Sequence, residues 1–354
     1  MTTLSRPRVG IACTVAARKR YVAPASLQRL QRVAEVAWLE FEGPSRLSGP
    51  PPEDAKLIGR LSGFVPDLDA LVVSYGSPRV TDQMMGNAPR LRMIGDTHGD
   101  RFAARVDAAA AYRRGITLVD TTNASSGPVA EWALALVLIG LRNAGSHFRR
   151  LVGGELLWPD RDALLADPGY LNGELTGKTV GLIAAGNVGQ RLIRLLQPFD
   201  VSVLVYDPGA PSALAPIFGL ELTSLANVMA LSDVVVNTAP LTSTTRGMIG
   251  TAELSALPPG AVFVNVSRGA VVDTAALIDR LRRGDIIACL DVVEPEPLPV
   301  GSPLRSMANV FLSPHIAGVT AACEPRFFDL MVDEVLRFLA GHRAWYPLVP
   351  REAR

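Results

Sequence analysis

Thr179-Val180-Gly181-Leu182-Ile183-Ala184-Ala185-Gly186-Asn187-Val188-Gly189 is the stretch on which the reading of this sequence turns. A short apolar run ends in small residues, then passes at 190–196 into apolar positions with helical spacing. That order reads as strand, tight turn and helix. With no side chain at Gly186, backbone N–H groups can approach a pyrophosphate at the helix N-terminus, where the macrodipole adds partial positive charge. Gly189 lets the helix pack close to the strand, while Ala184 stands where the dinucleotide fingerprint has its first glycine. Its methyl group is expected to crowd the turn.

Residues 201–206 read as the next strand and end in Asp207, eighteen residues beyond Gly189, where an acidic group takes the adenosine ribose hydroxyls. Asp207 would repel a 2′-phosphate, and Pro208-Gly209-Ala210 offers no arginine to hold one. NAD, not NADP, is therefore the expected cofactor. A tight turn and a capping aspartate would explain each feature singly; their combination, in a strand–turn–helix setting, favours the dinucleotide.

Working outward, apolar runs at 9–13, 34–39, 70–73, 91–95 and 116–119 alternate with helix-like stretches such as 26–33 and 105–113. A second series, at 179–184, 201–206, 234–237, 262–266, 286–290 and 310–312, alternates with stretches such as 274–283. Alternation of this kind implies parallel sheets covered on both faces. Asn123-Ala124-Ser125-Ser126-Gly127-Pro128 marks the crossover between the series, and 324–342 reads as a last helix returning to the first unit. The fold class is thus α/β, with two doubly wound parallel-sheet domains. A Rossmann NAD-binding domain (123–316) is inserted into a flavodoxin-like substrate domain (1–122 and 317–354).

The chain has 354 residues, 35 Lys+Arg against 34 Asp+Glu and only 19% charged residues. No basic field is available to grip nucleic acid or an anionic membrane, so neither is expected as a partner. The longest uncharged apolar run, 132–141, is about half of the ~20 residues a membrane span needs and reads as a buried helix of a soluble protein. Arg6 and Arg8 ahead of residues 9–17 mimic a short export signal. The same residues read equally as a first buried strand and its turn, which is the reading preferred. Cys13, Cys289 and Cys323 are too scattered for a disulfide framework, and no zinc-ligand spacing occurs, so no metal and a reducing cytoplasm are expected.

Three segments in the second half carry residue types suited to carbonyl chemistry on an acid: Val264-Asn265-Val266-Ser267-Arg268-Gly269, 290–297 with Asp291 and Glu296, and Leu312-Ser313-Pro314-His315-Ile316-Ala317-Gly318. Each follows or ends an expected strand, and open parallel sheets bind ligands at the strands' carboxyl ends. An arginine offers planar donors matched to a carboxylate, and a histidine titrates near neutrality and can pass a proton to an oxyanion.

These segments, with 184–189, Pro240-Leu241-Thr242 and Thr245-Arg246-Gly247, stand in the order found in the D-isomer-specific 2-hydroxyacid dehydrogenases, a family that includes formate dehydrogenase, phosphoglycerate dehydrogenase and glyoxylate reductase. The sequence closely resembles that family over most of its length. The resemblance implies that Arg268 binds the substrate carboxylate and carbonyl, that His315 is the acid/base, and that Glu296 is its partner. It extends the cofactor site from Gly186, Asn187, Val188, Gly189 and Asp207 to Ala239, Pro240, Thr245, Val266, Ser267, Asp291, His315 and Gly318. Asp291 has a second reading as a cap for the loop after its strand.

In the first domain, Ser74-Tyr75-Gly76-Ser77 matches the family position whose backbone N–H groups hold the substrate carboxylate, which makes Tyr75 and Gly76 substrate contacts. The chain departs from the family at Gly95-Asp96-Thr97-His98-Gly99-Asp100-Arg101, where a glycine-rich loop is usual. His98 is accordingly a selectivity candidate facing the substrate. Val129-Ala130-Glu131 and the apolar helix to Leu141 resemble the family's dimer helix, so a homodimer is expected. The activity implied is NAD-dependent interconversion of a small 2-hydroxy acid and its 2-keto acid. The rivals are an NADH-binding, corepressor-like regulatory protein and an enzyme acting on another acid such as formate; Glu296 in place of glutamine weighs against the latter.

Overall fold

The computed structural model describes residues 6–43, 50–98, 105–167 and 173–348. Two compact units divide the chain: Met1–Ser125 with Thr320–Arg354, and Ser126–Val319.

The first unit is built on a parallel sheet in the order β2-β1-β3-β4-β5. Its strands are β1 (Arg8–Thr14), β2 (Glu35–Phe41), β3 (Ala70–Val73), β4 (Met93–Asp96) and β5 (Thr117–Asp120). This is the flavodoxin-like order. Every residue of β3 and β4 is buried, because helices cover both faces and a continuous apolar run then outperforms an alternating one. Leu71 and Ile94 face one core with Leu61 and Met84, whereas Val72 and Met93 face another with Leu30. The helix Glu324–Leu339 returns here to place Met331, Val332 and Val335 in the second of these cores. Arg8 opens β1, and residues 9–12 pair with β2 on one side and β3 on the other.

The second unit holds a seven-stranded parallel sheet in the order β12-β11-β10-β9-β6-β7-β8. Its strands are β6 (Thr179–Ile183), β7 (Ser202–Tyr206), β8 (Glu221–Leu222), β9 (Val234–Asn237), β10 (Val262–Asn265), β11 (Ile287–Leu290) and β12 (Val310–Leu312). The two-residue β8 is too short to leave a sequence signal. Strand order reverses between β6 and β9, the switch point where open α/β sheets form a ligand crevice.

The apolar helix is longer than its uncharged run. With the turn that precedes it, Thr122–Leu141 forms 20 helical residues of mean hydropathy 1.5, which by length and composition alone is enough to cross a membrane. The length argument drawn from 132–141 therefore fails, because Thr122 to Glu131 is helical as well. Packing describes this helix better: Ala130, Ala133, Leu136, Val137 and Leu141 are buried in one core with Val180, Leu192 and Val262. The three cysteines are free and buried, and burial pushes the Cys13 and Cys289 thiols up to about 12.

Candidate active site

The fingerprint turn leaves β6 at Ala184, whose φ of +75° lies in the left-handed region. Such a conformation costs an L-residue about 1–2 kcal/mol and glycine almost nothing. The expected crowding thus takes the form of backbone strain. Hydrogen bonds hold the residue there: Ala184 N–H donates to Tyr206 O at 2.7 Å, and Thr238 Oγ1 donates to Ala184 O at 2.8 Å. A Cβ on Gly189 would lie 2.5 Å from Ala184 O, so only glycine permits this approach of helix Asn187–Leu196 to the turn. Gly186 caps that helix without a side-chain hydrogen bond, and a Cβ there would meet nothing within 4 Å. The helix's first N–H groups, at Asn187 and Val188, therefore border an open cradle of the kind a pyrophosphate fills.

Asp207 follows β7. Its Oδ2 accepts from Ala185 N–H and its Oδ1 from Gly209 N–H, both at 2.9 Å. The carboxylate ties the fingerprint turn to the end of β7, and its remaining lone pairs can still accept from hydroxyl groups.

Sequence reading missed an asparagine pair. Asn237 and Asn265 end β9 and β10, are 0% and 1% exposed, and join through Asn237 Nδ2 to Asn265 Oδ1 at 3.0 Å. Asn237 Oδ1 accepts from Ala239 N–H, Asn265 Oδ1 accepts from Ser267 N–H, and Asn265 Nδ2 donates to Arg268 O. The pair fixes two loops at once, Ala239–Pro240 and Val266–Arg268, and Ser267 Oγ also donates to Ala239 O. The signal was present in parallel: Val-Val-Val-Asn and Val-Phe-Val-Asn are two apolar strands with the same polar end. Thr245 Oγ1 donates to Pro240 O at 2.6 Å and closes the loop after β9 on itself.

Arg268, Asp291 and His315 follow β10, β11 and β12, three adjacent parallel strands. Arg268 is partly buried and donates through Nη1 to Ser267 O at 2.7 Å. At Gly269 a Cβ would lie 2.0 Å from the Val293 carbonyl carbon, so the Arg268 turn rests directly on the segment leading to Glu296. His315 Nδ1 lies 2.6 Å from Glu296 Oε1, with side chains 26% and 27% exposed. A carboxylate only accepts, so Nδ1 carries the hydrogen and Nε2 is the nitrogen left to exchange a proton.

His315 itself has a φ of +55°, and the cause is Asp291. His315 N–H donates to Asp291 O at 2.9 Å, while Ile316 and Ala317 N–H donate to the two carboxylate oxygens at 3.0 Å each. Ser313 Oγ adds a donor at 2.5 Å and is held in turn by Trp132 Nε1 at 3.1 Å. The Asp291 carboxylate is buried with three donors on it and so caps this turn; a carboxylate has about four acceptor sites, and the cap is compatible with the cofactor contact. Gly318 lies three residues beyond His315, past the capped turn.

In the first unit, Tyr75 and Gly76 form a turn at the end of β3. Ser77 N–H donates to Ser74 O, Thr14 N–H donates to Tyr75 O at 2.8 Å, and Gly76 has a φ of +79°. His98 follows β4, the neighbouring strand. The residue is half-buried, and its ring packs against Tyr21, Tyr75 and Phe327. Burial first, and the Arg105 charge second, push its pKa down to about 3. Gly99, Asp100 and Arg101 lie outside the described residues. Among the described residues no group of three His, Cys, Asp or Glu could hold a metal ion.

A dinucleotide cradle at the switch point, with a histidine–carboxylate pair and an arginine along the same sheet edge, is the layout of a nicotinamide-dependent dehydrogenase. Residues 134–317 match the family model described as D-isomer specific 2-hydroxyacid dehydrogenase, NAD binding domain. The chain is 34% identical to a glyoxylate reductase of Pyrococcus furiosus over 281 residues, covering 78% of this chain and 81% of that one. It is 32% identical to a D-3-phosphoglycerate dehydrogenase of Methanocaldococcus jannaschii, covering 81% of this chain but only 54% of the relative. The structure of an NADPH-dependent glyoxylate/hydroxypyruvate reductase from Sinorhizobium meliloti, in complex with NADP and malonate, superposes with a TM-score of 0.69 at 28% identity, covering 97% of each chain. The chain belongs to the D-isomer-specific 2-hydroxyacid dehydrogenase family, and its second unit is an NAD(P)-binding domain.

Proposed function

We propose that the protein is an NAD-dependent dehydrogenase that in the reducing direction converts a small 2-keto acid to its 2-hydroxy acid, with Arg268, Glu296 and His315 as its catalytic residues. The observation that carries this reading is the His315 Nδ1 to Glu296 Oε1 contact of 2.6 Å in a pair still open to solvent. Bound nicotinamide supplies the hydride. Arg268 binds the substrate carboxylate and polarises the carbonyl, because its planar guanidinium is always charged and presents paired donors. His315 Nε2 delivers the proton to the carbonyl oxygen as negative charge develops there, and the Glu296 carboxylate stabilises the imidazolium. In the oxidising direction the same pair takes the proton back.

The Tyr75–Gly76 turn of the first unit is kept as the substrate-carboxylate contact that the family resemblance implies. Asp207, with no arginine in the residues after it, supports NAD over NADP, although the Sinorhizobium relative uses NADPH. Glyoxylate and hydroxypyruvate, the acids named for relatives, are the first substrates to try. A homodimer is proposed on the exposed apolar side chains Phe148, Leu151 and Val152 of helix Ala144–Val152, at 65%, 61% and 66% exposure. A reducing cytoplasm is the proposed location, supported by the three free thiols.

The test is NADH oxidation against a panel of 2-keto acids, with Arg268→Ala and His315→Ala as controls. Turnover that vanishes in both variants supports the assignment. NADH binding without turnover on any acid would replace it with the regulatory reading.

A further inference from the structure

The proposed chemistry leaves one half-buried histidine unused. The His98 ring lies 4.3 Å from Tyr75 at an interplanar angle of 30°, 4.3 Å from Phe327, and 4.5 Å, edge-on, from Tyr21. Its Nδ1 sits among hydroxyls, 2.8 Å from Thr97 Oγ1 and 3.3 Å from Ser74 Oγ. Nε2 is buried without a hydrogen-bond partner among the described residues. The backbone is pinned as well: His98 N–H donates to Asp96 Oδ1 at 3.1 Å, and Arg105 Nη2 donates to His98 O at 2.7 Å. Arg105 also grips Asp96 through two hydrogen bonds, and its guanidinium carbon lies 5.7 Å from the centre of the Tyr75 ring.

A ring kept neutral, with one nitrogen among hydroxyls and the other enclosed, neither relays protons nor holds an anion. What it offers is a flat face. The backbone of the turn is held from the other side, by Thr14 N–H on Tyr75 O and by the methyl group of Thr14, which would lie 2.3 Å from a Cβ on Gly76. The Tyr75 side chain is held by His98.

We propose that His98 is a positioning residue: its ring, between Tyr75 and Phe327, fixes Tyr75 and with it the direction in which the Tyr75–Gly76 turn presents its N–H groups. The nitrogens play no chemical part, so a phenyl ring would serve equally. The effect on catalysis rests on the reading of this turn as a contact for the substrate carboxylate; the effect on the turn itself does not.

The test compares His98→Ala with His98→Phe in the full-length protein, reading steady-state kinetics, NADH affinity and amide hydrogen exchange at 74–77. His98→Ala is expected to raise KM for the 2-keto acid ~tenfold, the worth of one aromatic pair, with kcat within about twofold of the parent. NADH affinity stays unchanged and exchange at the turn becomes faster. His98→Phe restores all of these. If His98→Phe is as impaired as His98→Ala, the nitrogens act and the proposal falls; it falls too if exchange at the turn is unchanged in His98→Ala. Faster exchange in His98→Ala, reversed in His98→Phe, with KM unmoved in both, would uphold the positioning role and remove the turn from the substrate site instead.

Discussion

His315 and His98 each follow the end of a strand in a parallel sheet, one in each unit, and the two turns treat the same side chain in opposite ways. His315 stands about a quarter exposed with a carboxylate on Nδ1; His98 is packed against three aromatic rings with hydroxyls on Nδ1 and, among the described residues, no hydrogen-bond partner on Nε2. The difference lies in what the neighbouring segments supply. Around His315, Asp291 spends its carboxylate on the turn's own N–H groups, which forces a positive φ and leaves the ring to Glu296. Around His98, the Asp96 carboxylate is occupied by Arg105 and the His98 N–H. An imidazole paired with a carboxylate can carry charge, whereas one beside a guanidinium and under aromatic cover cannot.

The largest effect that would break this contrast is catalytic. His315→Ala and Arg268→Ala are each expected to lower kcat/KM by about 10³-fold while NADH affinity changes little. Steady-state kinetics with fluorescence titration of NADH checks this, and a His315→Ala variant of near-parental activity would dissolve the distinction between the two histidines.

A second effect separates them by pH. The folded pKa of His98, about 3, lies below its ordinary value of 6.5. The unfolded chain therefore binds a proton that the folded one refuses, so His98's contribution to stability is whole above pH 6.5 and is lost as pH falls towards 3. Among the described residues, the titratable and charged groups beside the ring are Tyr21, Tyr75, Arg105 and Asp96, and Arg105 is bound to Asp96. Urea unfolding at pH 7 and pH 5 should show a loss of about 2 kcal/mol that His98→Phe removes. An equal loss in both proteins would mean that His98 is protonated in the folded state.

Smaller effects sharpen the contrast between a unit read from motifs and a unit read from packing. Asp207→Ser is expected to narrow the preference for NADH over NADPH by about tenfold, measured as the ratio of the two Kd values. An unchanged ratio would leave Asp207 only as the tie between the fingerprint turn and the end of β7. Ala184→Gly should be smallest. Relief of the strain at φ +75° exceeds the entropy that glycine adds to the unfolded chain by about 0.5–1 kcal/mol, seen as a modest rise in Tm.

Most of the strand pattern was legible, because parallel strands buried on both faces are continuous apolar runs; β3, β9 and β12 coincide with the runs at 70–73, 234–237 and 310–312. β8 was not, since two residues carry no period. The apolar helix was read too short because its first turns contain Thr, Asn, Ser and Glu131, residues whose polarity hides their helical neighbours. The asparagine pair went unseen because its members are separated by a whole helical crossover and meet only when β9 and β10 pair side by side.

The sequence by itself determined the two parallel sheets, the place of the dinucleotide cradle and membership of a dehydrogenase family, because periodicity, small residues at a turn and motif order are local properties of a chain. The family resemblance named Glu296 as the partner of His315, but only the tertiary structure puts the two in contact, turns the Asp291 carboxylate onto the His315 turn and packs His98 against aromatic rings. Those outcomes depend on burial and on partners brought from distant segments, such as Phe327 from the returning helix, and no spacing along the chain encodes them.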